Sequence, residues 1–370
     1  MQSIHLIMLA GGLLTGLIAG FIMHRSDYCI AGMFSNLFLF RSTIMLKTLF
    51  LLIGVSMLLF EMVNITGFVT VPFPFFGPPS LANIIGGFLF GAGMILSGGC
   101  VVGTLYKMGA GSFASTLAFL GLVIGSTLYA FLHPKWVFLS KLLALPTNTV
   151  TIPQLLGISS TLPAFLISVF LIALFVYWLR NAEIETSVVV DGYIQPWKAA
   201  ILLAFLGSVS VLITGMPMGI TTSYSKFGAI LIQLIAPERY TDIKYFTLLP
   251  LNYTPPLGGE TISGGPGAMI DAISLIQFPV IFGIIGGSAI SAIWLGEWHL
   301  NLRLPWKQIV SAVVGGILMG MASRMAPACN IWHLMGGLPI MAMQSLLFLL
   351  GLLPGAWFGT LVFSRVVVSS

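Results

Sequence analysis

The chain has 370 residues, 58% hydrophobic and only 7% charged, with a formal net charge of +5 and a mean hydropathy of +1.05. A soluble domain carries about 25% charged residues, so this chain lacks the polar surface to dissolve as a globule in water. Its 15 basic residues are scattered singly, which argues against a nucleic-acid partner or a polybasic lipid-binding patch.

The first apolar run, residues 4–23, matches the ~20 residues a helix needs to cross a ~30 Å hydrocarbon core. No Lys or Arg precedes it and no clear small-residue cleavage site follows, so it is read as a retained span. It leads into "MHRSDYCIAGMF", where Arg25 stands four residues before Cys29. A second span is expected over 44–60, ending at Glu61, a carboxylate expected to meet water. Residues 80–96 are apolar, interrupted by glycines, and run into "SGGC" at Cys100, with Lys107 seven residues beyond. Spans over 113–132 and 162–179 follow. "RNAEIETSVVVDGYIQPWK" (180–198), with Glu183, Glu185 and Asp191, has the composition of a solvated linker.

Beyond the linker, a span over 198–215 precedes a polar insertion, 236–277, expected to be an extramembrane loop lying over the site. Its "SGGPG" has no preceding strand and no Walker lysine, so phosphate binding is not expected there. A span over 278–296 comes next. Glycine-interrupted 308–326 then carries Arg324, five residues before Cys329, and a last span covers 346–363. The expected fold class is an all-α polytopic membrane protein.

An internal repeat organises these elements. "GGFLFGAGMILSGGC" (86–100) and "GGILMGMASRMAPAC" (315–329) both read GG, three residues, G, eight residues, C. Upstream, 11–32 has a looser partner in 207–228, which lacks a cysteine. The expected organisation is a first half (1–180), a polar linker (181–197) and a second half (198–370), inverted across the membrane, with broken or re-entrant helices meeting at a central substrate path. In hydrocarbon a broken helix is tolerated only where it is buried or lines a cavity. Close helix packing explains Gly87 with Gly91 and Gly316 with Gly320. It explains the adjacent Gly98 and Gly99 less well, since such a pair suits a sharp turn.

Three widely spaced cysteines form neither a disulfide framework nor a CxxC metal pair. Each either packs as a small apolar residue or does chemistry. Each also has a cation nearby in sequence, Arg25, Lys107 or Arg324. Such residues either snorkel to the headgroups or face a polar path. A thiol beside a cation near a half-helix end suits an anion carrying a soft atom. Asn330, directly after Cys329, adds an amide donor, with His333 nearby. No histidine spacing suggests a metal site, no cofactor motif is present, and no enzyme triad assembles.

These motifs resemble those of the YeeE/YedE family of membrane proteins. "GGFLFGAGMILSGGCVVGTLYKMGAGS" resembles its signature, and "MHRSDYCIAGMF" and "GGILMGMASRMAPACNI" its other two cysteine motifs, in order across most of the chain. The resemblance implies a transporter of a sulphur compound, with thiosulfate as the characterised substrate and Cys29, Cys100 and Cys329 as a relay. It also implies the bacterial inner membrane and a cytosolic TusA-type sulfurtransferase as partner. The chain departs from the pattern at Pro327-Ala328, where a glycine pair is usual. It departs again at Trp332, and at Asp27, which would repel an anion unless Arg25 pairs with it. Uptake of another sulphur or selenium compound, a membrane thiol-redox protein and a general anion channel are the alternatives.

Overall fold

Backbone groups in a bilayer must be satisfied within the protein, and this chain satisfies them almost entirely as helices. The computed structural model describes residues 3–181, 183–184, 191–258, 260–300 and 302–368; Glu185 of the linker lies outside them. The first half contains α1 (Ser3–Ser26), α2 (Ile30–Phe40), α3 (Ile44–Ile65), α4 (Ala82–Leu96), α5 (Val101–Gly109), α6 (Phe113–Leu142), the short α7 (Ile152–Leu156) and α8 (Thr161–Arg180). The second contains α9 (Pro196–Thr214), α10 (Thr222–Ile235), α11 (Pro237–Asp242), α12 (Ala272–Trp294), α13 (Trp306–Met325), a π-helical turn at Trp332–Gly337, and α14 (Met343–Val362). Among the described residues, nine helical stretches are long and apolar enough to cross a membrane. Two of them, Ile4–Phe40 and Ala82–Gly109, are interrupted at Cys29 and Cys100. The protein is an all-α polytopic membrane protein.

The glycines within 80–96 and 308–326 do not break those segments: α4 and α13 are continuous, and the breaks fall just after them. Within the helices the glycines let backbones touch. A Cβ on Gly87 would lie 2.2 Å from the Phe348 carbonyl oxygen of α14, and one on Gly351 would lie 2.0 Å from that of Ile84. The α13–α6 contact repeats the arrangement, with Gly316 at 2.3 Å from the Ala118 oxygen and Gly125 at 2.1 Å from that of Ile317. Small-xxx-small faces of this kind supply van der Waals contact where lipid offers no hydrophobic drive. α1 likewise packs along α12, and α9 along α3. α4 and α13 cross where Gly93 meets Gly315.

The polar insertion is an ordered cap rather than a plain loop, and it is shorter than expected. It holds α11, a tight turn at Lys244–Thr247, and antiparallel β1 (Leu251–Tyr253) and β2 (Ile262–Gly264). It ends at Asp271, whose carboxylate accepts the Ser274 amide at 3.1 Å and so starts α12. The same carboxylate receives the Lys226 ammonium at 2.8 Å, tying the cap to α10 through a lysine that is 1% exposed. Glu61 also differs from expectation. It is buried, and it accepts from Asn64 (3.2 Å), Ser160 (3.2 Å) and Thr161 (2.8 Å) at the start of α8. Hydroxyl donors at the N-terminus of a neighbouring helix replace the water that an apolar run's end was expected to meet.

Candidate functional site

Three helix breaks share one construction. Each leading helix closes with a six-residue back-bond: Tyr28 N to Met23 O (3.2 Å), Gly99 N to Met94 O (3.1 Å) and Ala328 N to Ser323 O (2.9 Å). This Schellman-type closure needs a left-handed residue near its end. Asp27 (φ 46°) and Gly98 (φ 71°) take that place two residues before their cysteines. Proline cannot, because its ring fixes φ near −65°. At the third break the turn therefore passes to Ala328, at φ 92°.

Each cysteine then begins a new helix. Its carbonyl accepts the first helical bond, from Met33 (2.9 Å), Thr104 (2.7 Å) or His333 (3.0 Å). Each cysteine thus stands at a helix start, and at the second break Gly103 N donates to Cys100 Sγ at 3.3 Å. A helix N-terminus carries partial positive charge and unpaired N–H groups, so each thiol marks a place that favours an anion.

The breaks converge in the core. The thiols of Cys29 and Cys100 flank the same glycine, since a Cβ on Gly103 would lie 2.8 Å from the first sulphur and 3.3 Å from the second. All three cysteines are free and at most 2% exposed. Asn330 is fully buried, reaches Met94 Sδ of α4 at 3.9 Å through its Nδ2, and leaves its Oδ1 without a partner. Polarizable sulphur from Met94 and Met319 thus accompanies the thiols. Among the described residues no group of three or more His, Cys, Asp or Glu is placed to hold a metal ion.

Two cavities flank this core, one at the start of α6 beside Phe113 and one past its midpoint beside Tyr129 and His133, with Phe113 and Tyr129 roughly 25 Å apart at ~1.5 Å rise per residue. One, of about 650 Å³, is lined by His24, Asp27, Tyr106, Lys107, Tyr193 and Glu297. There the Lys107 ammonium donates to Gly98 O at 2.8 Å, at the turn before Cys100. Both carboxylates accept from phenols: Tyr106 donates to Asp27 at 2.8 Å, and Tyr193 to Glu297 at 2.9 Å. Burial first, then Glu297, push the Tyr193 phenol in the linker up to about 12, so it remains a donor. The other cavity, of about 430 Å³, is lined by Arg324, Thr221, Thr222, Pro327, Ala328 and Trp332, among others. Arg324 donates to the hydroxyls of Thr222 (3.0 Å) and Thr221 at the start of α10. Neither cavity wall includes a cysteine. Apolar side chains such as Met23, Phe60, Val102 and Ile331 leave only about 20 Å³ between them.

The expected site residues therefore divide. Cys29, Cys100, Gly98, Gly99 and Lys107 form one group, and Cys329, Asn330 and Arg324 another. Arg25 joins neither. Its guanidinium is engaged by Ser291 Oγ (3.0 Å) and Gly192 O (2.6 Å) and lies over the Phe21 and Trp294 rings, and it does not pair with Asp27. Sequence reasoning passed over Gly103, Tyr106 and the Thr221–Thr222 pair. For Gly103 a signal was present, since "CIAG" and "CVVG" both place glycine third after the cysteine.

A family model described as sulphur transport matches residues 25–358, which contain all three breaks and both cavities' cations. The chain belongs to this sulphur transport family. The resemblance carried by the three cysteine motifs is thereby confirmed. The thiosulfate transporter TsuA of Spirochaeta thermophila is 28% identical over 367 residues, covering 94% of this chain and 96% of that protein. TsuA of Escherichia coli is 35% identical over 112 residues, 30% of this chain and 31% of that one. The probable transporter YedE of Escherichia coli is 27% identical over 164 residues, 44% of this chain and 36% of that one. This member of the sulphur transport family is thus a multi-pass membrane protein of transporter rather than enzyme kin.

Proposed function

We propose that this protein carries thiosulfate, or a closely related sulphur-containing anion, across the bacterial inner membrane. The observation that carries this reading is the set of three buried free thiols, each at a helix N-terminus, together with two separate cation-bearing cavities beside them. Lys107 and Arg324 attract an anion at the two mouths. Inside, amides and neutral thiols offer weak, polarizable stations without a permanent opposite charge that would trap it. Conduction needs sites that are several and weak. Gly98 and Gly99 provide the turn that presents Cys100, and Asn330 adds a donor beside Cys329. Arg25 supports the path indirectly, by holding linker residue Gly192 near the first mouth.

Duplication in inverted halves (1–180 and 198–370) belongs to the same reading. Its support is the exchange of packing partners: α4 on α14 answers α13 on α6, and α1 on α12 answers α9 on α3. A cytosolic TusA-type sulfurtransferase as acceptor rests on the family resemblance alone.

The test is uptake of radiolabelled thiosulfate by cells lacking their own uptake systems, comparing wild type with Cys29→Ala, Cys100→Ala and Cys329→Ala at matched membrane expression. Uptake by wild type that falls to background in each variant is expected. Undiminished uptake in all three would remove the thiols from the route and leave a plain anion channel. No uptake by folded wild type would exclude thiosulfate. A thiol-redox protein is a second reading, favoured by the two thiols on either side of Gly103. It needs only that pair, so under it Cys329→Ala would retain thiol–disulfide exchange.

A further inference from the structure

The third residue after each cysteine differs among the breaks. At two it is glycine, Gly32 and Gly103, and the approach to the thiol carries no side chain there. At the third it is Trp332, one helical turn after Cys329 and part of the Arg324 cavity wall. One residue thus spans the step from that cavity to the buried thiol. The ring is 4% exposed, stacked on Phe76 (centroids 4.9 Å apart, 19°) and met edge-on by Phe75 (6.3 Å, 74°).

Two features of this aromatic cluster exceed what packing requires. The Trp332 Nε1–H is buried without a hydrogen-bond partner, a state that native interiors avoid. Phe75 holds φ at 71°, a genuine outlier for a bulky residue and the kind of strain that collects at clamps and switches. The ring also has little spare room on its far side, since a Cβ on Gly219 would lie 3.0 Å from Trp332 Cε3.

We propose that Trp332 is the gate between the Arg324 cavity and Cys329. In the closed position seen here the indole, braced by Phe75 and Phe76, blocks the thiol. An anion held at Arg324 passes when the ring swings aside, and the freed Nε1–H then donates to it. The passage step rests on the transport reading above; the blocking step does not.

The experiment therefore reads blocking without any transport. In a Cys29→Ala, Cys100→Ala background, Cys329 is the sole thiol, and its modification by a small anionic methanethiosulfonate is followed by mass spectrometry. The expected result is slow labelling of the parent and labelling at least about tenfold faster with Trp332→Ala, one decade of rate for removing the barrier. Trp332→Phe keeps the plug and should leave labelling slow; placed in the chain with its three native cysteines, it should lower thiosulfate uptake through loss of the donor. If Trp332→Ala does not fold, Phe75→Ala, which unbraces the indole, should accelerate labelling in its place. Fast labelling of the parent, or equal rates in the parent and the alanine variants, would overturn the gate. Absent uptake by wild type together with gated labelling would overturn the transport reading and leave the gate standing.

Discussion

The breaks at Cys100 and Cys329 end matching stretches of sequence and reach the same geometry with different residues. Both close α4 and α13 with a six-residue back-bond, and both start a new helix at the cysteine. At Cys100 the left-handed residue is Gly98 and the third following residue is Gly103; at Cys329 these roles fall to Ala328 and Trp332. The backbone path is therefore the shared requirement, and side chains set how open each thiol is. A left-handed alanine at Ala328 and an indole at Trp332 make the second break the bulkier of the two.

The comparison breaks most severely where both copies depend on glycine for backbone contact. Gly87→Val and Gly316→Val should each cost about 3 kcal/mol from overpacking against Phe348 and Ala118, respectively. Loss of the monodisperse fraction after detergent extraction checks this, and retention in one copy alone would show that the two contacts are unequal. Next in size, Gly103→Ala drives a Cβ between the Cys29 and Cys100 sulphurs. It should lower uptake about tenfold, some 1.4 kcal/mol, in a protein that still extracts normally. Smallest are the turns themselves. Gly98→Ala should destabilise by about 1 kcal/mol, the cost of a left-handed side chain. Ala328→Gly should stabilise by up to about 1 kcal/mol, because the strain there is relieved. Thermal unfolding in detergent should show the two shifts with opposite sign.

Much of this fold was legible because hydrocarbon leaves a chain few options. Apolar runs such as 44–60 and 162–179 had to be helices, and adjacent glycines before Cys100 had to be a turn. Glu61 was misread because its partners, Ser160 and Thr161, are about a hundred residues away. The approach of Cys29 and Cys100 to the same glycine, Gly103, is equally remote in sequence, and the packing of α1, α2, α4 and α5 brings it about. Arg25 lies four residues before Cys29, yet its rotamer turns it to Ser291 and Trp294. Trp332 was visible as a departure from the family pattern. Its place in the Arg324 cavity wall depends on Phe75, Phe76 and Gly219, from two different segments.

The most direct test of the central claim, that the two breaks act in one route for a sulphur anion, is thiosulfate flux into proteoliposomes containing only this protein. Wild type should admit radiolabelled thiosulfate, and Cys100→Ala and Cys329→Ala should each abolish entry while remaining folded and reconstituted to the same density. Entry that persists when either cysteine is replaced would contradict the account, because that break would then lie outside the path.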